Sequence, residues 1–163
     1  MPEPKEIHTE ILVKGKIETI FNCLAVDGKK FPNYFKGFFP IIPPIKEITI
    51  PEGSKIEVGL IRTVKLGDGT IVKERILENN SPYTQKYEMA EMNPIQKLLF
   101  TNMIGKYILK ESNGMVEVNW DYTFFPKDGF LSSLLVPLIA WAFKNAMNSC
   151  LKNMKAFQEK EVS

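Results

Sequence analysis

Arg62 and Glu74 are the residues of this chain best placed to do chemistry, because the turn between them sets them face to face. If Gly67-Asp68-Gly69 forms a three-residue loop with glycine in the left-handed position, Leu66 opposes Thr70. Val64 then faces Val72, Arg62 faces Glu74 and Leu60 faces Ile76. A two-residue Asp-Gly turn would instead oppose Arg62 to Arg75, a repulsive pair, so the first register is expected. Along 54–66 the even positions read Ile56, Val58, Leu60, Arg62, Val64, Leu66, which makes Arg62 the one charge on an apolar face. Such a pair can fix strand register as a buried ion pair. It can also anchor a ligand carboxylate or carbonyl, or act as a general acid/base couple.

A second hairpin extends the set. Asn113-Gly114 predicts a two-residue type I′ turn with Ser112 opposite Met115. Leu109 then pairs with Val118, Tyr107 with Trp120, Gly105 with Tyr122 and Met103 with Phe124, all on one inner face. Lys106, Lys110, Glu117, Asn119 and Asp121 fall on the wet face. Tyr83, Gln85, Tyr87 and Met89 share one face of another strand. These side chains either fill a core or line a cavity with hydroxyl and indole donors. The candidate ligand-binding residues are therefore Arg62, Glu74, Gln85, Tyr87, Met103, Tyr107, Trp120 and Tyr122, around a pocket of roughly 300–1,000 Å³. No catalytic residue is assigned.

Other chemistries find little support. The only histidine, His8, falls on the charged side of its strand with Glu6 and Glu10, where a general base could not reach a cavity. Cys23 and Cys150 show no metal-ligand spacing and are too few for a disulfide framework, so no metal is expected and a reduced, cytoplasmic interior is the natural setting. Gly67-Asp68-Gly69 opens a strand rather than a helix, so it is no phosphate loop, and no cofactor is expected. With 21 basic and 19 acidic residues and a net charge of +2, nothing marks a nucleic-acid partner.

The elements that must position these residues follow from periodicity. The 163 residues, 44% hydrophobic and 25% charged, suit a single domain over 1–163. Residues 6–13 alternate as a half-buried strand. Ile17, Ile20, Phe21 and Leu24 lie on one face of a short helix, and Phe31, Tyr34, Phe35 and Phe38 on one face of a second. The loop Phe39 to Pro44 is too proline-rich for regular structure. Its apolar residues, with Phe35 and Phe38, are either core or a lip through which a greasy ligand enters. Strands are expected near 45–50, 54–66, 70–79, 83–91, 98–111 and 115–125. After Pro126 the period returns to helical, and Phe143, Met147, Cys150, Met154 and Phe157 define one face of a long helix with a kink at Pro137. The uncharged run Gly129 to Phe143 is shorter than the roughly 20 residues of a membrane span and reads as buried helix, so no integral membrane segment is expected.

This pattern resembles the polyketide cyclase/dehydrase and lipid-transport family, within the START-related helix-grip (SRPBCC) superfamily that includes the plant pollen allergens. The resemblance rests on the opening strand, the paired short helices, Gly59-Leu60-Ile61-Arg62, Val64, the Gly67-Asp68-Gly69 turn, Val72-Lys73-Glu74, Tyr87, Trp120 and the terminal helix. It implies an α+β helix-grip fold: a curved antiparallel sheet of about seven strands wrapped around a long C-terminal helix, with two short helices after the first strand. It also implies an internal cavity for a hydrophobic small molecule such as a lipid, polyketide-like or isoprenoid compound. The alternatives are a cyclase or dehydratase acting in the same cavity, with Arg62 polarising a carbonyl, and a protein-interaction module. Oligomeric state stays open.

Overall fold

A computed structural model describes residues 2–162. Seven strands form one fully antiparallel sheet in the order β1-β7-β6-β5-β4-β3-β2. They are β1 (Lys5–Lys14), β2 (Ile45–Thr49), β3 (Ile61–Leu66), β4 (Ile71–Asn80), β5 (Thr84–Glu91), β6 (Phe100–Ser112) and β7 (Met115–Pro126). Between β1 and β2 lie α1 (Ile17–Phe21), which continues as a π-helical turn over Asn22–Val26, and the one-turn α2 (Phe31–Tyr34). A short helix, α3 (Pro94–Leu99), joins β5 to β6, and α4 (Phe130–Val162) follows β7. The sheet curls into a half-barrel around α4. Register shifts in β2, β4 and β6 supply bends, because each extra residue kinks its strand.

Both hairpins form in the expected register. Asn113 and Gly114 have φ of 54° and 74°, the left-handed pair a type I′ turn demands, and Tyr107 pairs with Trp120, Gly105 with Tyr122 and Met103 with Phe124. Gly69, at φ 88°, closes the other turn; Leu66 N–H bonds Thr70 O at 2.9 Å, and Arg62 pairs with Glu74.

Three expectations are corrected. The strand drawn over 54–66 begins only at Ile61: Ile56 and Val58 lie in irregular chain, and Val58 is exposed. Gly53 and Gly59 take φ of 77° and 92°, which break the extension that the alternating apolar residues imitate. The strand drawn from 98 starts at Phe100, because Pro94 occupies a first-turn position of α3 and Asn93 and Gln96 close a capping box. The run Gly129 to Phe143 is helical but only half buried. Val136, Ala140 and Ala142 face inward, while Phe130, Leu131, Leu134, Leu138 and Trp141 are exposed. By length and composition α4 is apolar enough to cross a membrane, yet it is the core helix that the sheet grips.

Beyond Phe143 the helix is amphipathic as its spacing requires. Ala146, Met147, Cys150, Leu151 and Met154 are buried against the sheet, and Lys155 Nζ donates to Leu12 O of β1 at 2.7 Å. The helix runs unbroken through Pro137. Truncating the fully buried Met147 to Ala should destabilise the protein by about 2–5 kcal/mol in urea denaturation. Phe39→Ala, at a side chain 94% exposed, should shift stability by no more than about 0.5 kcal/mol.

Candidate functional site

A cavity of about 180 Å³ lies between the inner face of the sheet, α4 and the segment that follows α2. Arg62, Glu74, Tyr87, Met103, Tyr107, Trp120 and Tyr122 all border it. Gln85, the eighth candidate, is fully buried behind Arg62 and does not line the cavity. Tyr83, expected on the same face as Gln85 and Tyr87, precedes β5 and is half exposed. His8 sits on the outer face beside Asp121 and Glu10, and Asp121 chiefly raises its pKa.

The cavity is smaller than the roughly 300 Å³ lower bound expected from sequence. Large rings occupy the space. Tyr107 and Trp120 pack as tilted rings at 5.0 Å between centroids, and Tyr122 and Phe143 likewise at 4.5 Å. Phe31 and Phe35 close on Trp120 edge-on, at 6.2 and 6.4 Å. Sequence reasoning placed Trp120 and Tyr107 inside but assigned no cavity role to Phe31 or Phe143, which approach from separate helices.

Arg62 is the polar centre of this wall. Its Nε donates to Glu74 Oε2 at 2.7 Å, and its Nη1 lies 3.4 Å from both Ala25 O and Gln85 Oε1. Its guanidinium carbon sits 4.9 Å from the centre of the Tyr87 ring, within cation–π range. Burial works most strongly against the guanidinium charge, but the Glu74 carboxylate together with Tyr87 and Tyr107 holds the pKa above its ordinary value. Ala25 enters because of backbone geometry. At the end of the π-helical turn its carbonyl has no helical donor ahead of it, and a helix end buried without partners is costly. Arg62 and Gln85 Nε2 (3.0 Å) supply the missing donors. No sequence pattern announces that carbonyl.

Tyr87 joins the charge to the aromatic wall, since its hydroxyl accepts from Trp120 Nε1 at 3.1 Å. The ring can lie there only because Gly105 is its cross-strand partner: a Cβ on Gly105 would come within 2.2 Å of the Tyr87 ring. A glycine inside a strand signals such an approach, and this was the available clue. Burial pushes the phenols of Tyr107 and Tyr122 well above their ordinary range, so they stay protonated at neutral pH and can donate hydrogen bonds.

On the far side of Arg62 a more open hollow of about 530 Å³ runs between Leu24–Lys29 and Ile48–Ile50. Leu24, Phe31, Ile48 and Arg62 border both spaces. The loop expected to be either core or lip divides its roles. Phe35 is buried, Ile41 and Ile42 border the cavity, and Phe39 points outward.

Solved structures share this architecture. A protein from Thermus thermophilus superposes with a TM-score of 0.71 at 14% identity, over 98% of this chain and all 100% of its own. Major latex-like protein 151 from Panax ginseng gives 0.70 at 14% identity, over 95% and 97% of the two chains. Ara h 8.0201 gives 0.70 at 17%, over 97% and 99%. The chain has the helix-grip fold. That is the fold the sequence resemblance implied, and at these identities the likeness concerns fold alone. No family model and no curated protein matches the chain.

Two outcomes follow for the wall of this helix-grip cavity. Removing one partner of a buried ion pair costs about 3–5 kcal/mol, whereas replacing both by apolar residues is often neutral or better. Glu74→Leu should be the costlier single change, since it strands Arg62, the less exposed partner at 8% of its side-chain surface against 14%. The Arg62→Met, Glu74→Leu double mutant should denature in urea at least as late as either single mutant. Gly105→Ala should displace the Tyr87 ring, cost on the order of 1–3 kcal/mol by overpacking, and change Trp120 emission.

Proposed function

We propose that this protein binds a compact hydrophobic small molecule in the cavity between sheet and α4, with a polar end of the ligand turned toward Arg62. The observation that carries the reading is a buried ion pair, Arg62 with Glu74, on the wall of a mostly apolar and aromatic cavity. An apolar hollow of about 150 Å³ suffices for a single benzene ring, so about 180 Å³ suits a ligand body of one to two rings or a short branched chain. Lipid-like, isoprenoid and polyketide-like fragments meet that description. The hollow beyond Arg62 can receive a longer or more polar extension, because the two spaces share Arg62 and Ile48 as a wall. Two free, buried cysteines suit a reducing, cytoplasmic setting.

The polar inventory supports binding over catalysis. Glu74 is engaged by Arg62, the Tyr87 hydroxyl by Trp120, and burial keeps the Tyr107 and Tyr122 phenols protonated. A cyclase would ask one of these groups to surrender or accept a proton.

Trp120 reports occupancy directly, since it is buried on the cavity wall while Trp141, the other tryptophan, is exposed. In a Trp141→Phe background, titration with naphthalene should quench or shift Trp120 emission saturably at one site per chain. The carboxylate-bearing 2-naphthoic acid should bind more tightly than naphthalene, and the Arg62→Met, Glu74→Leu variant should lose that preference while keeping naphthalene affinity. A linear, non-saturating response to both probes would remove the basis of the carrier reading.

A further inference from the structure

The exposed apolar stripe on α4 is not explained by a ligand-binding cavity. Phe130, Leu131, Leu134, Leu138 and Trp141 are all exposed, at 83%, 43%, 59%, 46% and 55%. At 3.6 residues per turn these positions fall within an arc of about 100° on the side of the helix turned away from the sheet. A solvent-facing helix surface is ordinarily polar there.

Two other segments border the stripe. The Phe38 ring packs edge-on to Trp141 at 5.1 Å, and the next residue in the chain, Phe39, is 94% exposed. At the opposite end Ser132 Oγ donates to Leu99 O at 3.3 Å and ties α3 to the first turn of α4, with Ile95 and Leu98 of α3 also exposed. The same segments close the cavity on this side through Ile42, Ile95 and Ile139. Their charge has one sign. Residues 28–46, 92–106 and 129–158 contain lysines and no Asp or Glu, and Asp128 is the acid next to the start of the stripe. Lys36, Lys97, Lys127 and Lys144 are exposed around the stripe.

We infer that this face docks on an anionic lipid bilayer, with Phe39 and the α4 stripe in the acyl boundary and the lysines against the headgroups. An apolar face with protruding aromatics and a cationic border is the pattern of an interfacial helix. A second copy of the chain fits less well, since a two-fold interface would press the same lysines against one another. Docking would turn the cavity wall formed by Ile42, Ile95 and Ile139 toward the membrane, so a hydrophobic ligand could pass between bilayer and cavity without crossing water.

Co-sedimentation with vesicles of phosphatidylcholine carrying about one-third phosphatidylglycerol tests this. Wild-type protein should bind these vesicles, bind pure phosphatidylcholine more weakly, and release as salt screens the lysines. Trp141 emission should move to shorter wavelength on binding. The Phe39→Asp, Leu134→Asp variant changes two exposed side chains and should fold normally. It should partition at least ~10-fold more weakly, since each substitution withdraws a large apolar group, while naphthalene still enters its cavity. That last readout separates failure of docking from failure of the binding reading. The proposal is overturned if wild-type protein ignores both vesicle types, or if the double variant binds as well as wild type. It is also overturned if sedimentation velocity shows a wild-type dimer that Leu134→Asp converts to monomer.

Discussion

A positive charge that sits 7% exposed among aromatic rings organises the heart of this structure. An isolated guanidinium there would be prohibitively costly to bury. Arg62 is tolerable because four groups from three parts of the chain converge on it: Glu74 from β4, Gln85 and the Tyr87 ring from β5, and the Ala25 carbonyl from the end of the π-helical turn. Each contribution also fixes something larger. The Glu74 contact requires one register between β3 and β4, since a one-residue slip would bring Arg75 opposite Arg62. The Ala25 contact stops the helix after β1 at one place against the sheet.

The rest of the cavity is built outward from that centre. Tyr87 lies over Gly105, receives the Trp120 indole N–H, and thereby connects the charge to the tilted pair of Trp120 and Tyr107. Phe31 of α2 and Phe35 just beyond it press on Trp120, and Phe143 of α4 packs on Tyr122. The buried charge pair thus sits on the wall of a mostly apolar space, and the packed aromatic rings hold that space small. The surface outside follows a separate logic, because α4 buries one side of its first half and exposes an equally apolar side.

The residues that specify backbone geometry were the most legible. Asn113-Gly114 and Gly67-Asp68-Gly69 specify two registers, and with them the inward set from Met103 to Tyr122 and the Arg62–Glu74 pairing. Alternation alone was less reliable. Ile56, Val58 and Leu60 alternate as a strand would, but two left-handed glycines override them. The short helix at Pro94 was announced by Asn93 and Gln96, and Asn-Pro reads equally well as a turn. Sequence could not foretell the Ala25 carbonyl, because every residue carries one. Nor could it foretell cavity volume, which depends on how Phe31, Phe35 and Phe143 fill space between elements far apart in sequence. The exposed half of α4 was misread because apolar composition says nothing of which side meets the sheet.

Heteronuclear NMR offers the most direct test of an internal site centred on Arg62. The side-chain N–H signals of Arg62 Nε, Trp120 Nε1 and Trp141 Nε1 report respectively the polar end, the aromatic wall and the outer surface. Titration with 2-naphthoic acid should move the Arg62 and Trp120 signals together, to one saturating shift with a common dissociation constant, and leave Trp141 in place. Movement of Trp141 with Arg62 and Trp120 unchanged would put the acid on the outside of the protein and contradict the account.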